Sequence, residues 1–147
     1  EKIMAHEDKG KYFKKHPEGT QVSETLRQAV LKQTKDNNIS CKAAEKISRD
    51  GGAPMSDVGT AIDMLNINIA HCQLGLFGYD AKSKAVVPAE SVSPQLEADI
   101  RAALVGNRLP CAAAWKIAEH SNLKRMDVCA ACEALKIKVK PCQLGAF

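Results

Sequence analysis

The sequence predicts a mostly α protein made of two tandem three-helix units, each followed by a short strand. Three observations carry that prediction. Residues 22–77 align with residues 92–147 at a constant offset of 70 without a gap, and 19 of the 56 pairs are identical. Both copies close on one word, Cys-Gln-Leu-Gly-x-Phe, at residues 72–77 and 142–147. Within each copy, apolar residues recur at helical spacing in three stretches and then alternate over a few residues. The repeat sets the expected organisation: an arm over 1–21, repeat 1 over 22–77, a linker over 78–91 and repeat 2 over 92–147.

Each unit is about sixty residues long, near the lower limit for independent folding. With one Trp, two Tyr and three Phe in 147 residues, the cores must be built from Ala, Ile, Leu, Val and Cys, which suits closely approaching helices. No run reaches the roughly twenty apolar residues of a membrane helix. No secretory signal pattern is present, so a cytoplasmic protein without membrane contact is expected. The first residue is Glu1, which leaves processing upstream of it open. The net charge of +4 falls mainly in repeat 2, where eight Lys and Arg face five Asp and Glu, a mild lure for a polyanion.

Taken in order, the arm is polar, carries Lys11, Lys14 and Lys15, breaks at Pro17 and Gly19, and reads as a solvated terminus. Ser23 offers a cap to a first helix with Leu26, Ala29 and Val30 on one face, running to about Lys35, and Asp36-Asn37-Asn38 ends it. Ser40 caps a second helix with Ala43, Ala44 and Ile47 inward, and Gly51-Gly52 permits a sharp turn. Ser56 can cap the third, lined by Val58, Ala61, Ile62 and Leu65, with Asp57 in its first turn. Ile67 and Ile69 alternate with Asn66 and Asn68 as a strand does.

The linker holds Tyr79-Asp80 and the short Ala85-Val86-Val87 segment. Ser93 and Pro94 then start the second copy, with Leu96, Ile100, Ala103 and Leu104 in its first helix. Pro110 opens the next helix, with Ala113, Ala114, Ile117 and Ala118 inward, and Ser121-Asn122 makes the turn. Val128, Ala131, Cys132 and Leu135 line the third helix. Ile137 and Val139 alternate with Lys136, Lys138 and Lys140, so three ammonium groups are expected on one face of a strand.

Ala118, the turn residue Asn122 and Val128 in repeat 2, and Ser48, Gly52 and Val58 in repeat 1, fall at matching intervals. Apolar Ile117 and Leu123, and Ile47 and Ala53, flank them. This spacing resembles a helix-turn-helix, and with a preceding helix and a following strand each copy resembles a winged-helix-type unit. The terminal word is similar to that of small uncharacterised proteins of anaerobic microbes, a resemblance that carries no activity. What the first resemblance implies is a DNA-binding transcriptional regulator whose third helices enter the major groove. Ser56 and Thr60 would then serve the first copy. Lys124 and Arg125 would reach phosphate or guanine in the second, with Lys136, Lys138 and Lys140 as a backbone-contacting wing. Asp57, Asp63, Asp127 and Glu133 oppose this by repelling phosphate. The alternative is a protein-interaction or accessory subunit of a larger assembly, a redox complex being one candidate in view of the cysteines.

Cys41 with Cys72, and Cys111 with Cys142, hold equivalent places and are expected to meet as small buried hydrophobes. Cys129 and Cys132 exist only in repeat 2. With Cys111 and Cys142 they make four thiols, the number a zinc or iron–sulfur site takes, but Cys132 lies on the apolar stripe and helical spacing lacks the usual loop knuckle. No metal or other cofactor is expected. His6, His16, His71 and His120 do not repeat, no nucleophile sits beside a base in a recognisable word, and Gly51-Gly52 lacks the residues of a phosphate loop. The chain therefore reads as non-enzymatic. Trp115, which replaces Glu45 of the first copy, is expected to face the other repeat or a partner.

Overall fold

A computed structural model of the protein describes residues 12–80 and 84–147. The expectations on His6 and Lys11 lie outside them. The described chain is mostly helical, with one two-stranded sheet. None of its helices is long and apolar enough to cross a membrane. It divides into two compact units: residues 1–71 together with 144–146, and residues 72–143 together with 147.

In unit 1 the Ser23 hydroxyl accepts the Leu26 N–H at 3.2 Å and starts α1, Glu24–Gln33. The helix stops two residues short of Lys35 because a two-residue turn follows. Asp36 and Asn37 both take positive φ, 50° and 62°, and Lys35 and Asn38 exchange backbone hydrogen bonds of 2.9 and 2.8 Å. That is the geometry Asx residues tolerate best, and it feeds the chain into β1, Asn38–Ser40. Ser40 caps α2, Cys41–Gly51, and Gly52 reverses the chain at φ 67°.

Helix α3, Met55–Met64, starts earlier than a Ser56 cap requires. Pro54 takes the cap position at φ −61°, and its carbonyl accepts the N–H groups of Asp57 and Val58, so Ser56 caps nothing. Asn66 ends the helix at φ 56°, letting the Ile67 N–H return to the Ile62 carbonyl at 3.1 Å. β2, Asn68–Ala70, then runs parallel to β1 with Asn38 opposite Asn68 and Ile39 opposite Ile69. Parallel neighbours need a crossover, and α2 with α3 supplies it. Val30, Ala44, Val58, Ala61 and Ile62 are fully buried at its centre.

Unit 2 repeats this plan with other residues. Ser93 caps α4, Pro94–Ala102, with the Pro ring at the first turn. Gly106 and Asn107, at φ 57° and 66°, make the same two-residue turn between Val105 and Arg108. Helices α5, Cys111–Ser121, and α6, Arg125–Ala134, follow, separated by Asn122 at φ 54°. The expected strand carrying three lysines shrinks to one parallel bridge, Leu109 with Val139. These are the positions of Ile39 and Ile69 in unit 1. Lys136 is no strand residue at all, since it occupies the left-handed position after α6 at φ 59°. Val86, expected in a linker, is buried in this unit, and the N–H groups of Ala85 and Val86 both donate to the Gly75 carbonyl at 2.8 and 3.0 Å.

Units and sequence repeats part company at the closing words. Cys72-Gln73-Leu74-Gly75-Leu76-Phe77 ends repeat 1 but belongs to unit 2, whereas Leu144-Gly145-Ala146 from repeat 2 belongs to unit 1.

Candidate functional site

Helical geometry turns about 100° per residue, so the stripe Val58, Ala61 and Ile62 that faces the unit 1 core leaves Gly59 and Asp63 on the outward side of α3. In a groove-reading helix that side is open. Here Gly59 is buried and Asp63 is 2% exposed. A Cβ built on Gly59 would lie 2.7 Å from the Leu144 carbonyl carbon and 2.9 Å from its Cα, so only glycine lets this backbone approach. Leu144 is itself 2% exposed.

Asp63 gathers the rest of the cover. Its Oδ2 lies 2.8 Å from His16 Nε2 and 3.1 Å from Lys15 Nζ, and Lys15 Nζ also donates to the Gly145 carbonyl at 2.9 Å. One carboxylate thus holds both the segment before α1 and the last word of the chain. Burial pushes the Asp63 carboxyl above its usual range, against the opposing pull of the His16 and Lys15 hydrogen bonds and charges. Tyr12–Lys15 form a short 3-10 turn, where Tyr12 Oη donates to Asn68 Oδ1 and the Phe13 N–H to Asn66 Oδ1. Tyr12, Lys15 and His16 of the arm are therefore half-buried and engaged, which its mixed charges concealed, whereas Phe13, Lys14 and residues 17–19 are exposed.

Helix α6 of unit 2 carries the equivalent cover. Cys129 stands where Gly59 stands in unit 1 and is 1% exposed, and Leu74 of the first word is fully buried in the same core. Gly75, at φ 80°, has no room for a side chain against Val86 and Met126. Lys84, from the segment before α4, pairs with Glu133, which aligns with Asp63. That pair is half-exposed and worth little, about 0–1 kcal/mol, whereas removing a partner from the buried Asp63 cluster costs roughly 3–5 kcal/mol.

The predicted nucleic-acid residues are scattered over these two units. Ser56 is exposed, and its carbonyl accepts the Thr60 hydroxyl at 3.0 Å. Lys124 is the exposed N-cap of α6. Arg125 is engaged: its guanidinium lies 3.6 Å from the Trp115 ring centroid, and Nη1 donates to Gln73 Oε1 at 2.8 Å. Trp115 accordingly packs within its own unit. Lys136 and Lys138 are exposed and Lys140 is half-buried. Their segment is pinned by Leu109, whose N–H donates to the Lys138 carbonyl and whose carbonyl accepts the Lys140 N–H, both at 2.9 Å. No projecting hairpin wing occurs among the described residues.

Burial pushes the thiols of Cys129 and Cys132 up to about 12 and about 11, with Cys132 and Glu133 adding to the first and Glu133 to the second. Such thiols stay protonated and make poor nucleophiles. The Cys111 N–H donates to the Pro141 carbonyl and its Sγ lies 3.6 Å from Gln143 Nε2, while Cys142, expected to be buried with it, is half-buried, and Cys41 and Cys72 fall in different units. No group of three His, Cys, Asp or Glu that could hold a metal occurs among the described residues.

One further feature repeats. A cleft of about 530 Å³ opens between α1 and α2, and one of about 680 Å³ opens between α4 and α5. Ser23, Leu26, Lys46 and Ile47 line the first, and Ser93, Leu96, Lys116 and Ile117 line the second, identical residues at equivalent positions. Comparison with protein-family models, with curated proteins and with solved structures gives no match.

Proposed function

We propose that the protein is a non-enzymatic protein-interaction module built from two helix-turn-helix units, which recruits or joins a larger assembly through the cleft between the first and second helix of each unit. The observation that carries this reading is the burial of Gly59 and Asp63 on the outward side of α3, with Cys129 likewise buried on α6. A third helix covered on this side by the protein's own chain keeps only its Ser56–Asp57 edge open, a narrow face to lay into a major groove. The paired clefts supply the alternative surface, with an apolar floor of Leu and Ile and a polar rim of Ser and Lys. None of the six cysteines stands in a disulfide, which suits a reducing compartment such as the cytoplasm. The raised Cys129 and Cys132 thiols weigh against a redox role.

DNA binding is the second reading, favoured by Lys124, Lys136 and Lys138, which are exposed and make no ion pair among the described residues. Titration of the full chain with mixed duplex DNA at low and moderate salt separates the two. The interaction reading expects no saturable binding. Saturable binding that weakens with salt, with a slope reduced by about three in the Lys136→Ala, Lys138→Ala, Lys140→Ala triple variant, supports the regulator reading instead.

A further inference from the structure

Every residue lining the α4–α5 cleft has its counterpart, 70 positions earlier, in the lining of the α1–α2 cleft. Ser, Leu, Lys and Ile are kept, whereas Asp50 gives way to His120, Ala53 to Leu123 and Ala29 to Asp99. The differences decide what each cleft can take. In the α1–α2 cleft Lys46 Nζ lies 3.1 Å from Asp50 Oδ2, one turn further along the same helix, so unit 1 presents its own carboxylate to that ammonium group. With His120 in that place, Lys116 is exposed and makes no ion pair among the described residues. The carboxylate that does line the α4–α5 cleft, Asp99, stands on α4, where its Oδ1 accepts Gln95 Nε2 at 2.9 Å. The apolar lining is also larger, because Leu123, 39% exposed, joins Leu96 and Ile117 where unit 1 has only an alanine.

We propose that the α4–α5 cleft of unit 2 is the selective one of the pair, and that it takes a partner-protein segment in which an Asp or Glu side chain stands beside an apolar anchor. The incoming carboxylate does at Lys116 what Asp50 does at Lys46, and the anchor covers the apolar lining around Leu123. The α1–α2 cleft, whose lysine is already paired, takes the same segment more weakly. This chemistry of the partner rests on the reading of the clefts as protein-contact surfaces, and it ranks them. An exposed charge pair contributes little, so the ranking is a matter of a few-fold in affinity.

Random peptides displayed on phage and selected on the full chain test it. Enriched peptides should carry Asp or Glu next to Leu, Ile or Phe, and fluorescent synthetic copies of them should bind the full chain in a polarisation titration. Lys116→Glu should weaken that binding roughly tenfold, and His120→Asp, which restores the pair of unit 1, about threefold. Lys46→Glu should change it by less than about twofold. All three positions are exposed, and helical circular dichroism checks the fold of each variant. Leu123→Asp and Ala53→Asp, equivalent positions in the two clefts, separate the levels. Peptides that respond to either of these but are enriched without an acidic excess, or that tolerate Lys116→Glu, overturn the proposal and leave the clefts as contact surfaces. Peptides that tolerate both Leu123→Asp and Ala53→Asp bind outside the clefts, and they, or the absence of any enriched peptide, overturn both.

Discussion

Gly59 lies beneath the main chain of Leu144, so that a single added methyl group would meet the Leu144 carbonyl. Gly59→Ala should therefore unseat the closing segment from unit 1 and lose the burial of one leucine, about 2–3 kcal/mol. Gly51→Ala is the internal control, because Gly51 is helical and a Cβ there meets nothing. It should stabilise by roughly 0.5–1 kcal/mol. Urea denaturation of the two single variants reads both signs, and equal effects would contradict the packing described.

Asp63 sets a second expectation through its proton. Burial raises its folded-state carboxyl above the ordinary value of 3.8, so the native state holds the proton more tightly than the unfolded chain does. The stability contributed by that proton is fully present below the unfolded value and is lost as pH rises through the folded one. Wild type should therefore lose stability relative to Asp63→Asn as pH rises above 3.8. Parallel stability curves for the two proteins would show that Asp63 titrates normally.

Much of unit geometry was legible in the sequence. The caps Ser23, Ser40 and Ser93 act as their hydroxyls promised, and Ile69 lies in the strand its alternation predicts, but β1 and its parallel pairing were not expected, because Asp36-Asn37-Asn38 reads only as a helix end. Ser56 misled because the helix N-terminus is fixed by Pro54 two residues earlier, whose restricted φ needs no hydroxyl. The closing words misled more deeply. A repeat written contiguously suggests that each word completes its own copy, whereas docking depends on a long-range main-chain approach that periodicity does not encode. A signal for the cover did exist: Asp63 and Glu133 align, and lysines precede the first helix of both copies.

Lys136 pays the steric cost of a left-handed backbone that its Cβ disfavours, roughly 1–2 kcal/mol. Lys136→Gly relieves that strain and adds chain entropy to the unfolded state, with a net gain of about 0.5 kcal/mol. Lys138→Gly, outside the left-handed region, should destabilise. Thermal melts of both variants check the contrast.

The buried thiols set a fourth expectation. With Cys129 near 12 and Cys132 near 11, neither should react with a thiol reagent at pH 8 in the native protein, and both should react once guanidinium unfolds it. Mass mapping of labelled peptides resolves the two sites. Rapid native labelling of Cys129 would mean that the α6 cover opens readily.

Protein contact through the clefts is tested most directly by the composition of what the full chain captures from native extract. Wild type and the Lys136→Ala, Lys138→Ala, Lys140→Ala variant should both retain the same stoichiometric protein partner. A Leu26→Asp, Leu96→Asp variant, with a carboxylate placed in each cleft, should lose it. Retention of that partner by the cleft variant, or capture of nucleic acid in its place that is lost from the lysine variant, would contradict the account.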